Sequence, residues 1–352
     1  MKENAQSSQL SPFWSPETII PATKFSPEGR LMLVDQHGRT VDYLRISITE
    51  ACNFRCQYCM PETPEERPHS QDLLGTEPLK LFIALVIEQG IKKIRLTGGE
   101  PLLREDLPEL IAHIKACNPE VTTTLTTNAF LLEEKAQELK EAGLQRINIS
   151  LDSISETTFR LITKNGDLNR VLRGIDESLR VGLGIKVNMV PLQGMNEQEI
   201  IPMLEFCDAK GIRLRYIEYM ENTHAFAALK GLSGQEIIDR IEERYRVLEA
   251  EDFEFGPARH YRTEKGYTFG IIQPHSDNFC ETCNRIRLTS DGKLIPCLYF
   301  EDALSVKPAL EAGDSQKVLE LLYQTLAEKP EKNRWSGDLA ETSSRAFYQT
   351  GG

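Results

Sequence analysis

From residue 43 onward the chain alternates two patterns: short runs rich in β-branched residues, and longer stretches with apolar positions three and four apart. The short runs predict strands at 44–49 (LRISIT), 93–97 (KIRLT), 121–126 (VTTTLT), 145–151 (QRINISL), 184–190 (GIKVNMV) and 213–219 (RLRYIEY). The longer stretches predict helices near 77–90, 106–117, 132–142, 167–181 and 197–209. Repeated β/α steps build a parallel sheet covered by helices, either open and doubly wound or curled into a barrel. Polar residues inside the strands choose between the two. Arg45 and Ser47, Lys93 and Arg95, Asn148 and Ser150, and Lys186 and Asn188 each lie two apart and share one strand face. A closed, packed lumen is apolar, whereas a splayed one that holds a charged ligand needs inward polar groups. The expected fold class is therefore α/β, an incomplete (β/α)6 barrel of the TIM type with a ligand inside.

After residue 220 the rhythm changes to a helix near 233–244, short strands near 267–272, 285–289 and 293–298, and further helices within 302–326. This predicts a smaller C-terminal α+β module. The expected division is an N-terminal extension over 1–30, a partial barrel over 31–225 and the module over 226–352. The extension reads equally well as a mobile arm or as a segment wrapped on the surface.

Composition removes several function classes. With 40% apolar and 27% charged residues among 352, the chain is ordinary for a globular protein. No run of about 18 apolar residues predicts a membrane span, and the N-terminus lacks the order of a signal peptide, so a cytoplasmic protein is expected. A net charge of −12 argues against general nucleic-acid binding while leaving room for a local basic pocket. Of the 8 cysteines, Cys117 and Cys207 stand alone in helical patterns and are expected to be small buried residues. The other six form two triads, which in such a chain suggest metal ligands before disulfides.

Cys52, Cys56 and Cys59 fall within eight residues, and Cys280, Cys283 and Cys297 follow the pattern Cys-x-x-Cys-x13-Cys. Zinc takes four ligands in a structural site, and no histidine lies near Cys52. An iron–sulfur cubane with one iron not bound by protein suits three thiolates better, and its open iron can take another ligand. For the second triad, His275 keeps a zinc site as an alternative. The run GGEP at 98–101 is a turn whose glycines let backbone approach a ligand closely.

The stretch CNFRCQYC after the first strand, together with GGEPLLR at 98–104, resembles the radical S-adenosylmethionine (SAM) enzymes. That resemblance implies a 4Fe-4S cluster on Cys52, Cys56 and Cys59 whose open iron binds SAM, and a 5′-deoxyadenosyl radical that abstracts hydrogen. The second triad, with Arg285 and Arg287 on one strand face, narrows the resemblance to the GTP 3′,8-cyclase (molybdenum cofactor biosynthesis protein A) family, from about residue 30 to Gly351-Gly352. It then implies a second 4Fe-4S cluster on Cys280, Cys283 and Cys297 facing the purine. It also implies conversion of GTP to (8S)-3′,8-cyclo-7,8-dihydroguanosine 5′-triphosphate, a one-electron donor such as flavodoxin or ferredoxin, a downstream cyclic pyranopterin monophosphate synthase, and a homodimer.

Residue by residue, the resemblance places Arg45, Arg95, Thr126, Lys186 and the run Arg285, Ile286, Arg287 around GTP. Lys93 and Arg215 join them as phosphate or cluster-side contacts. Arg285 and Arg287 would also steady the cyclised radical. Tyr58, Gly99, Ser150 and Met220 match positions around SAM. On chemical grounds Glu100, an acceptor for an ammonium group, and Asn128 are added. Two departures stand out: Ala129 occupies a position that is glycine in many members, a small change, and the N-terminal arm is long. The double-glycine tail is expected to thread back toward the active site. The alternatives are another radical SAM enzyme with an auxiliary cluster, such as a peptide maturase, and a zinc-binding scaffold without activity.

Overall fold

The computed structural model describes residues 23–25, 29, 31–61, 73–221, 229–249, 256–274, 280–298, 303–332 and 347–350. Six parallel strands form its centre: β3 (Tyr43–Ser47), β4 (Lys93–Thr97), β5 (Thr122–Thr127), β6 (Arg146–Ser150), β7 (Gly184–Met189) and β8 (Arg213–Ile217). They pair in chain order, so each β/α step adds a strand on the same side, the topology of a barrel wall. A short hairpin of β1 (Thr23–Phe25) and β2 (Leu31–Leu33) precedes them.

Alternation along these strands separates two environments. Leu44, Ile46, Ile94, Leu96, Leu125, Ile147, Ile149, Val187, Leu214 and Tyr216 are buried in the apolar core. There they meet α1 (Thr76–Glu88), α2 (Leu107–Cys117), α3 (Leu132–Glu141), α5 (Leu168–Arg180) and α6 (Ile200–Ala209). Each such buried aliphatic or aromatic side chain stabilises the fold by about 1.5–3 kcal/mol. The residues between them, polar by sequence, face inward.

The C-terminal segment extends this same sheet at both open edges. β11 (Thr268–Ile272) pairs parallel to β8, and β12 (Arg285–Leu288) pairs parallel to β3. Antiparallel β10 (Ala258–Thr263) and β9 (Val247–Glu249) continue one side, and β13 (Lys293–Ile295) and β14 (Leu304–Ser305) the other. An open barrel leaves two edges of unpaired backbone groups, and these strands pair them. The module's helices are α7 (Gly234–Glu242), α8 (Lys307–Glu311), α9 (Ser315–Ala327) and α10 (Phe347–Thr350).

The hydrophobic pattern missed α4 (Glu156–Thr163), which is short and threonine-rich. It also missed β10, whose sequence ARHYRT reads as surface. The helices foreseen within 302–326 are α8 and α9, parted at Gly313, where φ is +68°. Cys207 is buried as expected, but Cys117 is exposed: it ends α2 beyond the last buried residue, Ile114.

Candidate active site between two cysteine triads

Parallel strands give the barrel two rims, and the first triad occupies the C-terminal one. The chain leaves β3 at Ser47 and enters a loop in which Cys59 N and Met60 N both donate to Cys56 O at 3.0 and 3.1 Å. This turn presents Cys52, Cys56 and Cys59 together. Phe54 braces it from behind, edge-on to Phe130 and Phe159 at 5.7 and 5.8 Å. Burial pushes the Cys56 thiol well up, and Asp152, Cys59 and Cys52 add to the shift. Three thiolates cannot coexist there without a positive centre, which fits a thiolate-bound iron–sulfur cluster.

Around this triad stand the residues assigned to SAM. Tyr58 Oη donates to Asp152 Oδ2 at 2.6 Å, and Val190 N donates to Asp152 Oδ1 at 2.9 Å. Burial raises the Asp152 carboxyl to about 6. Asp152 escaped the sequence reading, although it lies two residues beyond Ser150 at a strand end, where barrel sites are built. Asn128 Nδ2 donates to Asn53 Oδ1 at 2.8 Å and sits 4.0 Å from Cys52 Sγ. Gly99, Ser150 and Met220 all follow or end strands on this rim.

At GGEP the glycines gain a packing role and the assignment of Glu100 changes. A Cβ on Gly98 or Gly99 would lie 2.3 Å from Thr49 O or Ala51 O respectively, so the glycines admit the neighbouring loop. Gly99 N and Glu100 N bond to those same carbonyls at 2.8 and 2.7 Å. Glu100 is 1% exposed and is not free to receive an ammonium group. Its Oε1 accepts from Leu102 N (3.0 Å) and Thr127 Oγ1 (2.6 Å), and its Oε2 from Asn128 N (2.7 Å). It positions the Asn128 loop. Ala129, next in that loop, has φ +66°, a left-handed conformation that costs a non-glycine residue about 1–2 kcal/mol, so its departure from glycine is not neutral.

Glu100→Gln places an amide against backbone and hydroxyl donors and is expected to destabilise the protein by about 1–3 kcal/mol in urea unfolding. Burial raises this carboxyl from 4.5 to about 7 in the fold. The folded state therefore holds more protons than the unfolded chain across that window. The Glu100 contribution is full below it and is lost as pH rises through about 7. The stability gap between wild type and variant should be wider at about pH 5 than at about pH 8; an equal gap would count against this assignment.

A basic belt crosses the barrel below this rim. The parallel register aligns Arg287, Arg45 and Arg95 on adjacent strands, with Arg285, Tyr43 and Lys93 in the row beneath. Across the lumen, Thr126, Asn148 and Lys186 form one row. Arg215 Nε donates to Asn188 Oδ1 at 3.0 Å and its Nη2 to Asn148 Oδ1 at 2.7 Å. Burial and neighbouring cations pull Arg95 well down and Arg287 to about 9. Arg95 Nε is buried with no hydrogen-bond partner among the described residues. Such a crowd of cations suits a polyanion.

The second triad occupies the N-terminal rim. Cys283 lies two residues before β12, and antiparallel β13 returns so that Cys297 follows Ile295, the register partner of Arg287. Both cysteines thereby reach the Arg285 end of the strand. Burial alone would raise the Cys283 thiol, but the Lys329 ammonium and the Arg285 guanidinium outweigh it and hold it below the usual range. Lys329, itself 2% exposed, donates to Cys283 Sγ at 3.4 Å and to Pro296 O at 3.1 Å. Arg39 clasps Cys280 O, Pro330 O and Glu331 O at 2.7, 2.6 and 2.9 Å. Neither residue carried a local signal, because their partners lie far away in sequence. Among the described residues no three His, Cys, Asp or Glu side chains close on a single-ion position, and His275 lies outside them.

Ile286 is corrected: it is 1% exposed within the apolar core, on the opposite strand face from Arg285 and Arg287. Gly351 and Gly352 lie outside the described residues, as do residues 1–22. The preceding α10 packs Tyr348 on Met60, near Cys52 and Cys59, and Thr350 O accepts from Arg287 Nη1 at 3.1 Å.

Comparison with known proteins agrees with this arrangement. Residues 46–207 match the model of the radical SAM superfamily, and 212–335 match Molybdenum Cofactor Synthesis C. The chain is 52% identical over 326 residues to GTP 3′,8-cyclase of Sulfurovum sp. (strain NBC37-1), covering 91% of this chain and 100% of that relative. It is 49% identical over 321 residues to GTP 3′,8-cyclase of Helicobacter pylori (strain ATCC 700392 / 26695), with the same coverages. Among solved structures, Streptococcus suis SuiB bound to precursor peptide SuiA is similar with a TM-score of 0.60 at 17% identity, over 85% of this chain and 66% of that one. Native anSMEcpe with bound AdoMet gives 0.57 at 16% identity, over 80% and 81%. At such identities the likeness is one of fold.

Proposed function

The chain belongs to the GTP 3′,8-cyclase family of radical SAM enzymes, which acts in molybdenum cofactor biosynthesis, and from that premise we propose that the basic belt holds GTP between two 4Fe-4S clusters. The observation that carries this reading is the register-aligned row Arg287, Arg45 and Arg95, set between cysteine triads on opposite rims. The proposed division has a barrel through residue 225 carrying SAM and a module from 226 carrying the second cluster.

The enzyme is a lyase that converts GTP to 3′,8-cyclo-7,8-dihydro-GTP. Cys52, Cys56 and Cys59 hold the first cluster, and Cys280, Cys283 and Cys297 are proposed to hold the second. When bound, the first cluster and SAM supply the radical that removes the ribose 3′ hydrogen. The chain's own residues do the positioning. Arg45, Lys93 and Arg95 bind phosphate oxygens, with Lys186, Arg215 and Thr126 across the lumen. Arg285 and Arg287 lie beside the second triad, where the guanine would sit, and neutralise negative charge developing on the cyclised ring. Tyr58, Gly99, Asn128, Ser150 and Met220 shape the SAM side, and Asp152 orients Tyr58. The strands and α10 exclude water from reactive intermediates.

A flavodoxin or ferredoxin is proposed as electron donor, with cyclic pyranopterin monophosphate synthase taking the product and a homodimer as the working unit. Among the described residues no helix is long and apolar enough to cross a membrane; the demand for low-potential electrons and free thiols supports a cytoplasmic site. The likeness to SuiB, one of fold, gives no support to a peptide substrate.

The test is anaerobic incubation of reconstituted protein with dithionite and SAM, with and without GTP, followed by mass spectrometry. GTP-dependent 5′-deoxyadenosine with a product isomeric to GTP is expected. Deoxyadenosine formed at the same rate without GTP, and no such isomer, would refute the substrate.

A further inference from the structure

Tyr43 has no place in the reaction as described, yet it lies at the centre of the cation belt. Its ring has Lys93 Nζ 4.5 Å from the centroid, and the guanidinium carbons of Arg95 and Arg45 at 5.5 and 5.7 Å. The residue is 7% exposed, and its hydroxyl is fully buried without a hydrogen-bond partner among the described residues. A buried phenol with no acceptor is costly to keep, by about 1–3 kcal/mol. Among the described residues every charged group turned toward it is a donor. Arg45 is on its own strand, Lys93 and Arg95 on β4, and Arg285 and Arg287 on β12. The C-terminal α10, packed along β3, brings the Tyr348 hydroxyl and no charged side chain. Asp42, the neighbouring acid, is tied to Asn284 Nδ2 at 2.7 Å.

We propose that the Tyr43 hydroxyl completes the triphosphate site: it donates a hydrogen bond to a phosphate oxygen in the complex, and it gives its proton to solvent when no anion occupies the belt. Nucleotide binding and protonation of Tyr43 are then coupled. The inference rests on reading the belt as the triphosphate site. Its physical basis is charge balance. Burial alone would raise the phenol, but Arg95, Arg45, Lys93 and Arg285 outweigh it and bring it from 10.0 to about 7. A phenolate offsets part of the repulsion among those cations while the site is empty of substrate. The incoming triphosphate takes over that role, the phenolate becomes the one misplaced negative charge, and it recovers a proton. The proton comes from solvent or buffer and no bond to phosphorus changes.

The test uses the reconstituted full-length enzyme with GTP and without SAM, at about pH 8, a unit above the value of about 7. Calorimetry in two buffers of different ionisation enthalpy measures proton uptake, and the ultraviolet difference spectrum follows tyrosinate. Wild type is expected to take up about one proton per GTP and to lose tyrosinate absorption on binding. Tyr43→Phe should lose both signals and bind GTP about tenfold more weakly. Uptake with no change in tyrosinate absorption would assign the proton to Lys93, whose ammonium burial pushes down, and would overturn the coupling. Wild-type affinity in Tyr43→Phe would overturn the hydrogen bond. Guanosine separates the two levels: if wild type binds GTP no more tightly than guanosine, the triphosphate reading itself fails. The wild-type signals stand independently of whether the variant folds.

Discussion

Replacing Cys297 with serine is expected to abolish cyclisation while leaving SAM binding intact. The two triads sit on opposite rims, so a defect at one need not reach the other. Cys297 follows β13 and lies near Arg287, whereas SAM is assigned to the loop that leaves β3. Loss of one thiolate from a three-thiolate site should release that cluster, taking the iron content from about eight to about four per chain. Changes to groups that merely support metal ligands cost about 10–100-fold, and loss of a ligand beside the substrate should exceed that. Product formation should therefore fall about 100-fold or more, with SAM affinity within about twofold of wild type. About four irons per chain together with full product yield would remove the second cluster from the mechanism. The wild-type iron content in the same experiment decides the zinc alternative, because a zinc site would leave wild type with about four irons from the start.

Arg95→Met is expected to lower GTP affinity and to raise stability. Arg95 lies between Arg45 and Thr124 in the register, buried, with Nε lacking a partner among the described residues. Its neighbours Arg45, Arg215 and Arg285 are all cations, and Tyr43 is the counter-charge that Arg95 meets. Removing one charge relieves this crowding and fills the space with an apolar chain of similar length. A gain of about 1 kcal/mol in unfolding free energy is the expected scale. The same change removes a charge-assisted contact to phosphate, and binding should weaken by about 10–100-fold. Opposite signs in the two measurements mark a site whose charges are kept for a ligand at the expense of the empty fold. A variant that lost both stability and affinity would make Arg95 a structural residue instead.

Much of the site was legible because its chemistry is concentrated in short segments. CNFRCQYC carries three ligands on one turn, and the i, i+2 pairs on the strands announce a polar face with no knowledge of the partners. The period of two also holds the means to find Tyr43, two residues before Arg45, and to exclude Ile286, one residue from each of Arg285 and Arg287. Glu100 shows the limit of such reasoning. A carboxylate beside two glycines suits an ammonium ligand equally well on paper, and only the positions of Leu102 N, Thr127 Oγ1 and Asn128 N show that its oxygens are already engaged.

The sequence alone determined the repeated β/α wall, the two cysteine triads and the cations of the lumen, because periodicity and ligand spacing are local properties of a chain. Tertiary structure decided the rest. Parallel register turned Arg287, Arg45 and Arg95 into one row, and strand direction put the triads on opposite rims. Edge pairing joined β11 and β12 to the two ends of the same sheet. Lys329 reached Cys283 across 46 residues, and Arg39 reached Cys280 across 241. Contacts at such separations depend on where the whole chain comes to rest, and no local pattern encodes them.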